Sequence, residues 1–297
     1  MTDPRPHSAA SAARRATDDP NTFVIPAEHL PPGFMEKVED AGLVAAPPRP
    51  AATVVLLRDA EGGPEALLLR RHRRSGFAAD AWVFPGGVVD ESDRAASATD
   101  RLDGPSPAEW AQRLQVGDPA EAAGYVMAAI REAFEETGIL LAHTDRVSAT
   151  PAHAAESLAV ARRALLNEVV TLRDVAVGNG LRLAGDELIY VGHWITPEPE
   201  PRRYDTRFFA ARAPVDAVCD AHDAEMTDSI WLHPAEAVER FRDGQLKLLP
   251  PTVHTLQRLD GFPDWDALRA ALEDAPVPGI TPRMERRPGG VAIVVPE

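Results

Sequence analysis

The stretch from Asp118 to Gly138 does most to limit what this chain of 297 residues can fold into. Asp118 is a helix-capping acid, Pro119 takes the first helical position and Glu121 follows two residues later, which together start a helix. Gly138 is a stop signal. The helix therefore runs to about Thr137. At roughly 100° per residue, Met127, Ile130 and Phe134 share one face. Glu132, Glu135 and Glu136 cluster within about a third of the circumference on the other.

Like charges one turn apart cost a helix a few tenths of a kcal/mol, so this glutamate face needs a reason. A solvated acidic face beside Arg131 is the plainer reading. A hard divalent cation, Mg²⁺ or Mn²⁺, removes the repulsion, because such ions prefer carboxylate oxygen and keep positions open for water and phosphate. Upstream stands Phe84-Pro85-Gly86-Gly87. Together, those glycines and the run from Arg131 to Ile139 (Arg, Glu, apolar, any, Glu, Glu, any, Gly, apolar) resemble the Nudix box at every fixed position of its second half and at its start. The resemblance implies a metal-dependent hydrolase of a nucleoside diphosphate linked to another moiety. It also implies an α+β fold, the Nudix α/β/α sandwich built on a mixed sheet.

The box is interrupted. In the ordinary pattern about fourteen positions separate the glycine from the arginine, whereas Gly87 and Arg131 lie 44 apart. Five residues intervene between Gly87 and Asp93, which stands where the pattern has its first glutamate; Glu91 is the neighbouring alternative, and the position stays open between them. The insertion, about 94–117, contains Ser106-Pro107-Ala108-Glu109, a second capped helix start. It reads as a helical excursion whose ends rejoin the fold, since loop closure costs little extra with length. A box broken here is similar to one branch of the family, the peroxisomal coenzyme A diphosphatases and their bacterial relatives. His193-Trp194-Ile195-Thr196-Pro197, Pro201 to Phe209, Trp231 to Ala237 and Leu248 to Thr252 fit the same branch.

A hydrophobic fraction of 44 % supplies one elaborated core. The division expected is a mobile N-terminal segment and lead-in over 1–49, the catalytic domain over 50–260 with a second helical insertion near 150–175, and a C-terminal helix and tail over 261–297. The first twenty residues lack apolar periodicity and a signal-peptide core. No stretch is apolar enough to span a membrane. Cys219 is the only cysteine, which excludes an intrachain disulfide and suits a cytoplasmic setting. A net charge of −15 argues against nucleic acid as a partner.

Strands are expected at Thr53–Leu57, Ala66–Arg70, Trp82–Phe84, Ile139–Ala142, Leu188–Ile195, Arg207–Ala211 and Ser229–Leu232. Helices are expected at His153–Leu172, Pro234–Asp243, Thr252–Leu259 and Asp264–Leu272. Pro276 to Pro288 reads as a connector, and Val291 to Val295 as a late edge strand or an apolar tail. An acidic protein acting on an anionic substrate needs local arginines. The run Arg70, Arg71, His72, Arg73, Arg74 and the group Arg202, Arg203, Arg207 supply them, with Arg70, Arg73, Arg203 and Arg207 the candidates for substrate phosphate. On strand alternation Arg203 and Arg207 share a face.

The resemblance implies attack of a metal-activated water on one phosphorus. It makes Glu132, Glu135 and Glu136 metal ligands, with the Gly87 carbonyl completing the shell and Arg131 orienting the glutamates. Glu132 and Glu135 in the box, or Glu225 on a later loop, are the candidate general bases. Branch similarity favours coenzyme A or an acyl-coenzyme A as substrate. ADP-ribose or NADH is the alternative, and a catalytically inactive ligand sensor or interaction module the second. A homodimer is expected by family analogy alone.

Overall fold

A computed structural model describes residues 14–15, 19, 21–73, 78–144, 151–221 and 226–296. The first twenty residues, expected to be mobile, lie almost wholly outside this range, as do Arg74 and Glu225. The strands are β1 (Arg14–Arg15), β2 (Thr22–Pro26), β3 (Arg49–Ala60), β4 (Gly63–Arg71), β5 (Trp82–Val83), β6 (Gly86–Val88), β7 (Ala142–Thr144), β8 (Leu181–Leu183), β9 (Ile189–Ile195), β10 (Tyr204–Arg212), β11 (Met226–Leu232), β12 (Gly279–Ile280), β13 (Arg283–Arg287) and β14 (Gly290–Val294). The helices are α1 (Phe34–Glu39), α2 (Glu91–Arg94), α3 (Pro107–Leu114), α4 (Pro119–Thr137), α5 (Pro151–Leu166), α6 (Leu172–Asn179), α7 (Pro234–Arg242), α8 (Pro250–Arg258) and α9 (Trp265–Leu272).

The main sheet has the order β11-β4-β3-β10-β9-β12, with β5 beside β4 and β6 beside β3. It is mixed: β10 runs parallel to β3, while β3 and β4 form an antiparallel hairpin. Alternation along β3 sends Ala52, Val54 and Leu56 into one core with Tyr125, Met127, Ile130 and Phe134 of α4. Val55 and Leu57 enter a second core with residues of α7, α8 and α9. The result is the expected α/β/α sandwich. Each large α4 side chain buried this way is worth about 1.5–3 kcal/mol.

The insertion within the box does not leave the body of the protein. Ser106 caps α3 through a reciprocal pair with Glu109. Trp110 then packs edge-on against Phe209 of the sheet, ring centroids 5.8 Å apart. Three expected elements differ. Ile139–Leu141 is buried but not a strand; strand geometry begins at Ala142, where β7 pairs with β8. The helix expected over His153–Leu172 ends at Leu166, since Glu168 takes a left-handed φ of 56°, and a Thr171–Asp174 capping box starts α6 afresh at Leu172. The connector of Pro276–Pro288 contains β12 and β13.

Val291–Val295 is neither edge strand nor tail. β14 lies inside a second sheet of order β1-β2-β14-β13, paired antiparallel to β2 from near the other end of the chain. Phe23, Ile25, Val291 and Ile293 are buried in the second core. The lead-in and the C-terminal segment are thus joined, and together they cover the sheet face opposite α4.

Candidate functional site

Helix α4 brings the box together. Asp118 caps its start by accepting from the Ala120 amide at 2.9 Å, and Gly138, at φ 73°, ends it with a left-handed cap that an L-side chain would strain. The glutamate face is not solvated: Glu136 is only 6 % exposed. Glu136 accepts from the Gly86 amide at 3.2 Å. The Glu132 carboxylate lies so close to Gly87 that a methyl group on that α-carbon would overlap it. β6 holds both glycines in register with Ala52 and Thr53 of β3. Sheet and helix therefore meet where the double glycine leaves room for carboxylates.

Arg131 is the hub of this cluster. Its Nη1 donates to Glu132 at 2.7 Å and to Glu135 at 2.9 Å, and its Nη2 donates to the Val88 carbonyl at 2.8 Å. The remaining donors go to Asp93, with Nη2 at 2.9 Å and Nε at 3.1 Å. Asp93 is 2 % exposed, whereas Glu91 is exposed. The position left open in the sequence is therefore filled geometrically by Asp93. It is fixed there by α2, where the Asp93 carboxylate also accepts from the Asp90 amide at 2.9 Å. The helix α2 that carries Asp93 packs directly on α4.

Crowding of acids in a dry place shifts their titration. Burial pushes the Glu132 carboxyl up to about 7, with Arg131 opposing and Glu135 adding to the rise. Burial raises Glu135 as well. Asp93 is raised by burial even though Arg131 bonds to it. For Arg131, burial disfavours the charge but the Asp93 hydrogen bond and the nearby glutamates outweigh it, so its pKa is raised. Glu132 beside Gly87, Glu136 on the Gly86 amide and Glu135 across Arg131 offer carboxylate oxygens, the donor type a hard divalent cation prefers.

The arginines expected to bind phosphate each have a protein partner. Arg70 is paired with Asp80 at 2.7 Å, and Arg73 is an exposed side chain 3.6 Å from the same carboxylate. Arg203 precedes β10 rather than sharing a strand face with Arg207, and it donates to the carbonyls of Thr196 at 3.0 Å and Ala46 at 2.8 Å. Arg207 is buried, 3.2 Å from Asp205 and stacked over Tyr125 with 5.3 Å to the ring centroid. Arg71, one residue past Arg70, instead lines a cavity that also reaches Gly86. Its Nε has no hydrogen-bond partner among the described residues. Strand parity at the end of β4 separates the two arginines, and the sequence shows no other mark of it.

Arg162 of α5 is a residue that nothing in the sequence singles out. It donates to the Glu135 carbonyl from Nε at 3.1 Å and Nη2 at 2.9 Å, and to Asp220 at 2.8 Å. It thereby satisfies a carbonyl in the last turn of α4, which the helix itself leaves unpaired. A separate group, His143, Asp186 and Glu187, has its ligand atoms within 4.8 Å of one another. It shares no residue with the box, and its members are already tied, His143 to Asp186 at 2.9 Å and Glu187 to Arg269 at 3.3 Å.

A mixed sheet carrying a Gly-Gly strand against an Arg-Glu-x-x-Glu-Glu helix defines a Nudix-type domain. Residues 40–259 match the model of the NUDT19 Nudix domain, and the chain belongs to that family. It is similar to acyl-coenzyme A diphosphatase NUDT19 of Gallus gallus, 30 % identical over 288 residues, covering 78 % of this chain and 73 % of that protein. The Homo sapiens protein of the same name is 29 % identical, covering 67 % of this chain and 61 % of that one. A nudix hydrolase of Caenorhabditis elegans is 28 % identical, covering 76 % and 65 %. The chain thus spans less than two thirds of the worm and human proteins. The crystal structure of a NUDIX hydrolase from Alicyclobacillus acidocaldarius superposes with a TM-score of 0.57 at 26 % identity, covering 78 % of this chain and all of that one. No described helix is long and apolar enough to cross a membrane.

Proposed function

We propose that this Nudix hydrolase cleaves the diphosphate of coenzyme A or an acyl-coenzyme A, giving 3′,5′-ADP and a phosphopantetheine product. The observation that carries the reading is the placing of Glu136 on the Gly86 amide and of Glu132 against Gly87, with Glu135 tied to Glu132 through Arg131, in a chain whose relatives are named acyl-coenzyme A diphosphatases. Glu132, Glu135, Glu136 and the Gly87 carbonyl would hold Mg²⁺ or Mn²⁺. Such an ion supplies positive charge that lowers the pKa of water and offsets charge on the phosphate oxygens. The new bond forms between water oxygen and phosphorus, the bridging P–O bond breaks, and the water's proton goes to Glu132 or Glu135. Arg131 and Asp93 position these carboxylates. The substrate is a small molecule and the setting a reducing cytoplasm, the latter on the single cysteine alone.

Product analysis by mass spectrometry tests the reading, with coenzyme A, acetyl-coenzyme A, NADH, ADP-ribose and diadenosine polyphosphates as substrates and Mg²⁺ or Mn²⁺ present. Cleavage of the coenzyme A compounds to 3′,5′-ADP is expected. Cleavage of ADP-ribose or NADH alone moves the substrate assignment. Binding without cleavage of any compound makes the protein a sensor.

Gly87→Ala forces the Glu132 carboxylate aside and is expected to lower kcat/KM by about a hundredfold, in line with a misplacement of around 1 Å at a reacting centre. Full activity in that variant would mean Glu132 does not use its place against Gly87.

The raised Glu132 pKa also predicts a pH dependence. A carboxyl whose folded pKa lies above its unfolded value favours folding while protonated, so its contribution is complete below the unfolded value near 4.3 and is lost as pH rises through about 7. The metal-free protein should melt at lower temperature at pH 8 than at pH 5.5. Added Mg²⁺, which binds deprotonated carboxylates, should raise the midpoint more at pH 8. Differential scanning fluorimetry at both pH values decides it, and an equal Mg²⁺ effect at both contradicts the assignment of ligands.

A further inference from the structure

The cavity beside Gly86 lies on the face of the main sheet opposite α4, and its floor can be followed strand by strand. Gly86 of β6 stands opposite Thr53 of β3, Thr53 opposite Phe208 of β10, and Thr206 of β10 opposite Trp194 of β9; all five line the cavity. Three interstrand steps of about 4.8 Å carry the floor roughly 14 Å from Gly86. The far wall is apolar, with Pro250 at the start of α8 and Ile293 of β14. Arg71 is the charged residue in the lining. Gly86 joins the two faces, since its amide holds Glu136 while its other side borders this cavity.

We propose that this cavity receives the pantetheine-type arm of the substrate, an extended, mostly apolar chain joined by amides, rather than its nucleoside. The assignment rests on the coenzyme A reading given above. Length is the first ground: about four peptide-like units at roughly 3.5 Å each span the floor, and a nucleoside attached to the same diphosphate is shorter. Chemistry is the second. A purine buried here would need hydrogen-bond partners around its ring edge, and each unmet polar group costs about 1–3 kcal/mol. An arm with methyl and methylene groups meets Phe208 and Trp194, and its few amides meet threonine hydroxyls. Arg71, the charged residue of the lining, offers a cation to the arm's own phosphate. Thr206, midway along the floor, is then a specificity-determining residue, and a larger side chain there shortens the space for the arm.

Titration calorimetry of the full chain with Mg²⁺ tests this, using 4′-phosphopantetheine and 3′,5′-ADP as separate probes of the two halves. Thr206→Phe should weaken 4′-phosphopantetheine binding at least tenfold and Thr206→Met several-fold, with 3′,5′-ADP binding within twofold of wild type. Circular dichroism checks folding, and the milder Thr206→Met decides the matter if Thr206→Phe does not fold. Weakening of 3′,5′-ADP instead, equal weakening of both, no change in either, or no binding of 4′-phosphopantetheine to wild type at millimolar concentration overturns the assignment. Binding is read without turnover. Arm-selective binding in a protein that cleaves nothing would sink the diphosphatase reading and leave the cavity assignment standing.

Discussion

Glu136→Gln is expected to lower turnover of the preferred diphosphate by about a thousandfold while the protein stays folded. Glutamine keeps an oxygen able to accept from the Gly86 amide, so the contact between β6 and α4 survives. The full negative charge is lost. Charge stabilisation at a developing phosphate transition state is worth several kcal/mol, and about 4 kcal/mol corresponds to a factor of about a thousand. Steady-state kinetics with a melting curve on the same sample measures both effects. Activity within tenfold of wild type would remove Glu136 from the metal-ligand set.

Arg131→Met should have the largest effect on stability. The substitution leaves Asp93 buried without its counter-charge and sets Glu132 and Glu135 against each other with nothing between them. Removing one partner of a buried ion pair costs about 3–5 kcal/mol. For a domain of this size that is on the order of 10 °C in melting temperature. Adding Asp93→Asn to Arg131→Met should restore part of the loss, because the buried charge goes with it. Thermal unfolding of the single and double variants tests this. A double variant no more stable than Arg131→Met would show that Asp93 is not the charge Arg131 compensates.

The catalytic helix was legible because its signals are local: a cap acid, a proline at the first position, a helical period and a terminal glycine. The box itself was legible because three glutamates around an arginine at fixed spacing form one contiguous run. Asp93 could not be separated from Glu91 by counting, since one turn of α2 decides which carboxylate faces inward. The surroundings of the expected phosphate arginines were hidden for a related reason. Arg70 and Arg71 differ only in strand parity, and Arg70 had a partner, Asp80, ten residues on. The break between α5 and α6 rests on one residue with a left-handed backbone, Glu168, a type that carries no turn signal. The pairing of β2 with β14 left no local mark at all, because residues far apart in sequence meet there.

That last pairing bears on the order in which the molecule can be assembled. As a chain is made from its N-terminal side, Phe23 and Ile25 of β2 wait for Val291 and Ile293, which are made long after them. Contacts of such long sequence separation form slowly and leave apolar surface uncovered meanwhile. The half of the sandwich that holds the carboxylate helix can close early from residues 49–212, whereas the face bearing the cavity is sealed last. Newly made protein should therefore pass through a state with its box formed and its opposite face open, which makes that face the point at which chaperone binding or aggregation acts.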